Sequence, residues 1–155
     1  MKILSFNEML QLAKDFYSSI DIKIPKEYES IAVQSLIMPE YAKEYNDKNK
    51  QNTINDHRAL ATVGDAICGS YVMLKEYKSN ITSEELSNKK SIVKNENLNN
   101  IGKNLLQNKL FAVNNDLTEK NIKSYATAFE AVIGFIGILD KNKVNSILDK
   151  YLKYF

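Results

Sequence analysis

The segment ATAFEAVIGFIGIL, residues 126–139, is apolar except for Thr127 and one acid, Glu130. Wound at helical pitch it has almost no polar face, so the helix it forms belongs in the middle of a bundle. It is too short to span a bilayer, and Glu130 interrupts it. The rest of the chain supplies the bundle: apolar residues recur at helical spacing almost throughout, and strand-like alternation is scarce. Five glycines and two prolines leave little material for a turn-rich β fold. The expected fold class is all-α. No linker, repeat or low-complexity tract divides the 155 residues, so residues 1–155 read as one domain.

Local signals place the helices. Ser5 with Glu8 predicts a capping box opening a first helix that carries Met9, Leu10, Leu12, Ala13 and Phe16. Pro25 is expected to open a second helix with Ile31, Ala32, Val33, Leu36 and Ile37, and Pro39 to break it. Residues 45–55 read as a polar loop. A third helix follows, with Leu60, Gly64, Ile67, Tyr71 and Leu74 on one face. Thr82 with Glu85 predicts a second capping box, for a helix carrying Leu86, Ile92 and Val93; Leu98, Ile101, Leu105 and Leu106 belong to the next. A turn at 112–117 precedes the apolar helix, expected from about 120 to 139, and a closing helix from about 142 to 154.

Glu130 has a counterpart. Asp65, in LATVGDAICGSYVM, is likewise a lone carboxylate inside a largely apolar helix. Burying an unpaired carboxylate costs several kcal/mol, so each must meet a cation, hydrogen-bond donors or water. Two central helices in contact could bring both acids to one spot, where gathered carboxylate oxygens suit a hard divalent cation, Mg²⁺ or Mn²⁺. The plainer alternative pairs each acid with a local base such as Arg58. Gly64, beside Asp65, admits either a neighbouring backbone or a large ligand.

Bulk properties narrow the setting. A net charge of +2 permits nucleic-acid binding without arguing for it. The lone Cys68 excludes a disulfide framework and a Cys-rich metal site, and fits a reduced, cytoplasmic protein. The start, MKILSFNEML, lacks the apolar core of a signal peptide, and no membrane association is expected.

Four segments resemble the ribonuclease III family, in family order, over roughly residues 28–140: LIMPEYAKEYN, the signature helix LATVGDAICGSYV, ELSNKKSIVKNENL at 85–98, and YATAFEAVIGFI at 125–136. The resemblance implies an all-helical endonuclease domain, a homodimer, and Mg²⁺-dependent hydrolysis of double-stranded RNA. Asp65 and Glu130 fall on the family's catalytic, metal-ligating positions. The larger enzymes carry a Glu four residues before the signature Asp, where Ala61 stands, and an Asp three residues before the second Glu, where Thr127 stands. The pairs Ala61/Asp65 and Thr127/Glu130 instead look like Mini-ribonuclease III, a stand-alone branch without a double-stranded-RNA-binding domain that trims ribosomal RNA precursors. From that branch the chain departs at Gly69, where a Glu is usual, and in a basic loop reduced to NNDLTEKNIK.

RNA would then be held by shape and phosphate contacts. Candidate contacts are Lys89, Lys90 and Lys94, with Lys48 and Lys50 in the polar loop; the alternative for each is a solvated helix face. His57 reads as a surface or capping residue able to donate to a phosphate, and Cys68 as core packing. Small and apolar residues on several sides of the signature helix (Ala59, Ala61, Val63, Ala66, Tyr71, Val72, Met73) suit a two-fold interface. Two other functions compete: a catalytically inactive ribonuclease III-like domain acting as an RNA-binding or ribosome-associated structural protein, and a helical interaction protein with no RNA role.

Overall fold

The capping box forms as expected: Ser5 Oγ accepts from the Glu8 N–H at 3.2 Å, and the Glu8 carboxylate accepts from the Ser5 N–H at 3.1 Å, opening α1, Phe6–Ser19. The computed structural model describes residues 2–93, 95–117 and 124–152. Pro25 precedes a short 3₁₀ turn, Lys26–Tyr28, which leads into α2, Glu29–Gln34. Pro39 starts a helix as well as ending one. It is the first residue of α3, Pro39–Lys48, where its missing N–H and fixed φ are tolerated. The polar loop is correspondingly shorter than the sequence suggests and begins after Lys48.

The signature helix is α4, Arg58–Glu76. Thr82 caps α5, Ser83–Lys89, by accepting from the Glu85 N–H at 3.1 Å, but Glu85 reaches the Thr82 hydroxyl and not its backbone, so the capping box is half formed. A 3₁₀ turn, Lys90–Val93, follows and takes Ile92 and Val93 out of the helix expected to carry them. Then come α6, Asn95–Leu106, a 3₁₀ turn at Asn114–Leu117, α7, Ser124–Leu139, and α8, Lys141–Leu152. The expected beginning of α7 near residue 120 and the end of α8 near 154 lie outside the described residues. Among the described residues the one strand-like pairing is an isolated bridge between Ile37 and Phe111, so the chain is all-α. None of its described helices is long and apolar enough to cross a membrane.

Helix α7 is the centre, as its composition demands: ten of its sixteen residues are buried. It packs along α4 and α6, with α8 against its other end. The approach is close enough to require glycine. A Cβ on Gly64 would lie 1.7 Å from the Glu130 carbonyl oxygen, and one on Gly134 would lie 2.1 Å from that of Leu60. Helix α4 is less enclosed than expected. Leu74, placed on its apolar face by periodicity, is 79% exposed, and Thr62, Val63, Asp65, Ala66 and Ser70 also face outward.

Candidate active site

Asp65 sits next to Gly64, and Gly64 lies directly against the Glu130 backbone. That one contact places the two acids side by side, because no side chain intervenes between α4 and α7 at this level. The occupant that Gly64 admits is therefore the backbone of α7. The start of α7 is held in turn by Asn99 of α6, whose Oδ1 accepts from the Tyr125 and Ala126 N–H groups at 3.1 and 3.3 Å. These two donors belong to the first turn of α7, where backbone N–H groups lack intrahelical partners.

The carboxyl groups of Asp65 and Glu130 hydrogen-bond to each other. Glu130 is partly buried, whereas Asp65 is exposed, which corrects the expectation of two enclosed acids. Burial first, then the hydrogen bond that a protonated Glu130 donates to the Asp65 carboxylate and the charge of Asp65, push the Glu130 carboxyl up to about 8. Like charges this close cannot both ionise freely, so the pair keeps a proton at neutral pH when no cation is near. The neutralising base does not materialise. Arg58 is turned away into a bidentate pair with Asp56, and among the described residues neither Asp65 nor Glu130 has a salt bridge.

Two adjacent carboxylates without a cationic partner fit a hard divalent ion that takes oxygen ligands and retains several waters. Among the described residues no third His, Cys, Asp or Glu joins them in a metal-holding cluster. Ala61 cannot contribute: it is buried in a small apolar cluster with Leu60 and Ala131. Cys68, buried, has its thiol pushed up to about 12 by desolvation and by the two nearby acids, so it packs and does not ligate.

The lysines divide. Lys89 and Lys90 are exposed on the α5 side of the molecule, and the Lys90 chain reaches over α4: its Cε and Nζ lie 3.2 and 3.5 Å from where a Cβ of Gly69 would stand. Lys94 lies outside the described residues. Lys48 and Lys50 are exposed, at the end of α3 and just beyond it, on a different element from the acids.

His57 is not a surface residue. It is 1% exposed, its Nδ1 has no partner among the described groups, and burial pulls its pKa down to about 4 against the opposing charges of Asp56 and Asp116. It stands ahead of α4 in a buried polar joint. There the carboxylate of Asp116 accepts from the Glu40, Tyr41 and Val113 N–H groups at 3.0, 3.2 and 2.9 Å, tying α3 to the 3₁₀ turn before α7. Asp116 and Asn99 are positioning residues that the sequence reading missed. Both act across long sequence separations, where no local pattern marks them.

Residues 58–141, just over half of the chain, match the ribonuclease III domain. The match runs from the start of α4 to the start of α8 and takes in both acids, the glycines at their backs, and Lys90. Among curated proteins, none matches the chain.

Proposed function

The chain belongs to the ribonuclease III domain family, and from that premise we propose that it is a divalent-metal-dependent endoribonuclease cleaving double-stranded RNA, with Asp65 and Glu130 as its catalytic metal-holding pair. The observation that carries this reading is the direct contact of the two carboxyl groups, with no cation paired to either among the described residues. Mg²⁺, or Mn²⁺ in its place, would be held by these two side chains, and when bound it supplies an activated water and stabilises charge on the phosphate. The protein's part is to hold the acids in register through the α4–α7 backbone contact and to gather RNA phosphates on Lys89, Lys90 and Lys94.

The pairs Ala61/Asp65 and Thr127/Glu130 support assignment to the Mini-ribonuclease III branch and, with it, a role in trimming ribosomal RNA precursors in the cytoplasm. The enzyme acts as a homodimer. A groove of about 960 Å³ runs between α4, α7 and the start of α8, lined by Val63, Ala66, Leu74 and Ile138, all exposed. An apolar surface of this kind on a signature helix suits a two-fold contact.

The test is cleavage of a long RNA duplex with Mg²⁺ or Mn²⁺, comparing the wild type with Asp65→Asn and Glu130→Gln. Loss of cleavage in both variants with unchanged circular dichroism supports the assignment. Normal cleavage by Asp65→Asn refutes it, and duplex binding without any metal-dependent cleavage by the wild type favours an inactive RNA-binding domain.

A further inference from the structure

The loop joining α3 to α4 is pinned by side-chain amides. Asn46 donates to the Ile54 carbonyl at 2.9 Å and accepts from the Ile54 N–H at 2.7 Å. Gln34 of α2 donates to the Asp56 carbonyl at 3.2 Å, and Asn49 donates to the Tyr45 carbonyl at 2.9 Å. Between this loop, α2 and the start of α1 lies a cleft of about 490 Å³, within the range of small-molecule sites. Phe6 and Tyr45 give it aromatic surface.

Although 26% of the chain is charged, none of the described side chains lining the cleft is. Four amides line it instead: Gln34, Asn49, Asn52 and Asn55. Such a lining offers no countercharge to a phosphate, a carboxylate or a metal ion, and suits a neutral group with hydrogen-bonding edges. Gln34 and Asn49 are half-buried, and each gives an amide N–H to a backbone carbonyl. That bond fixes the amide plane and leaves the side-chain oxygen as an acceptor, which selects an occupant that donates. The charges stand outside. Lys48 and Lys50, both exposed, flank Asn49 in the chain, where they can meet phosphates on either side of a neutral base. Beyond the cleft the loop runs directly into α4, whose axis rises only about 10 Å from Arg58 to Asp65.

We propose that this amide-lined cleft is a subsite for an unpaired nucleobase with an exocyclic amine, carried by the RNA strand whose duplex lies at Asp65 and Glu130. This rests on the nuclease reading above. Bases splayed from an RNA strand are read on their edges by hydrogen bonds and held against aromatic side chains, and an amide pairs well with adenine. Uracil presents carbonyl oxygens and no amine, so the fixed acceptors of Gln34 and Asn49 disfavour it. The preferred substrate is then a duplex carrying an unpaired adenosine, not an uninterrupted one. Lys48 and Lys50, remote from the acids, acquire a place on the path of that strand.

The experiment compares three RNAs: a fully paired duplex, the same duplex with one unpaired adenosine, and one with an unpaired uridine. Fluorescence anisotropy at low salt without divalent metal gives their affinities, and cleavage is followed separately with Mg²⁺. The unpaired adenosine is expected to tighten binding by the wild type about tenfold, and the uridine by about twofold at most. Ser30→Phe fills the cleft from its exposed rim, and the double variant Asn52→Ala, Asn55→Ala removes two exposed amides. Either change should leave the paired and the adenosine-bearing duplex bound alike. An adenosine gain that survives in both variants overturns the proposal, as does an equal gain for uridine. Free adenosine separates a base on a strand from a loose nucleoside. If it shifts the Asn52 and Asn55 side-chain amide resonances while the unpaired base adds no affinity, the cleft is no RNA subsite and the proposal is overturned. If the wild type binds and cleaves none of the three RNAs, the nuclease reading itself has failed. If it cleaves the paired duplex and the adenosine adds nothing, only the subsite falls.

Discussion

Helices α7 and α5 both pack on α4, the helix that carries Asp65, and they are held in opposite ways. Ten of sixteen α7 residues are buried, and its backbone rests directly on that of α4 through Gly64 and Gly134. Helix α5 buries none of its seven residues and is capped by Thr82, and Lys90, just past its end, lays its side chain over α4. The acids are thus carried by backbone against backbone, where a few tenths of an ångström matter, and the lysines by flexible stems that tolerate movement. Such a division suits a site that fixes a small ion closely and a polyanion loosely.

The largest expected effect is chemical. Asp65→Asn should lower cleavage by about a thousandfold, several kcal/mol of lost transition-state stabilisation, with an unchanged melting temperature because the side chain is exposed. Cleavage assays and a thermal melt check it; a large fall in melting temperature would mean that the acid supports the fold instead. Next comes a contrast between two glycines of one helix. Gly64→Ala drives a methyl into the Glu130 carbonyl, so the α4–α7 seam must open, at a cost of about 3 kcal/mol or more. Gly69→Ala meets only the tail of Lys90 and should stay within about 0.5 kcal/mol. Urea denaturation of both variants decides; equal losses would erase the distinction between the rigid and the yielding side.

Much of the rigid side was legible. A charge inside an apolar run is conspicuous, so Glu130 and Asp65 stood out, and glycine beside Asp65 announced a close approach. What enclosed each acid was not legible, because exposure depends on which flanks of α4 the other helices leave bare, and Asp65 proved open to solvent. Helix α3 escaped notice because Pro39 signals a stop and a start equally well. His57 looked like surface among polar neighbours, since its burial comes from packing beside Asp116, nearly sixty residues away. The seat of Lys90 had no signature at all: one lysine among several reaches Gly69 only through the way α5 docks.

His57 allows a test of the joint that carries α4. Its pKa is about 4 folded against 6.5 for the free side chain, so between those values the unfolded chain binds the extra proton. Stability contributed by the neutral imidazole is full above pH 6.5 and declines as pH falls toward 4, by about 1.4 kcal/mol per unit at the steepest and about 3 kcal/mol in all. Denaturant titrations from pH 7 to 4 should show this slope, and His57→Asn should flatten it. An unchanged slope in the variant would transfer the acid sensitivity to the carboxylates.

The smallest effect probes the yielding side alone. Thr82→Ala removes the hydroxyl that accepts from the Glu85 N–H, and the loss of such a cap costs a helix about 1 kcal/mol. Because α5 has no buried residue, that loss need not reach the core: the helix can open while α4 and α7 stay packed. Hydrogen exchange should therefore quicken about fivefold across Ser83–Lys89, with the melting temperature nearly constant and the amides of α7 as protected as before. A global melting shift matching that of Gly64→Ala would show α5 to be bound into the same cooperative unit as α7. The lysines would then be held as firmly as the acids, and the division of labour between the two helices would not exist.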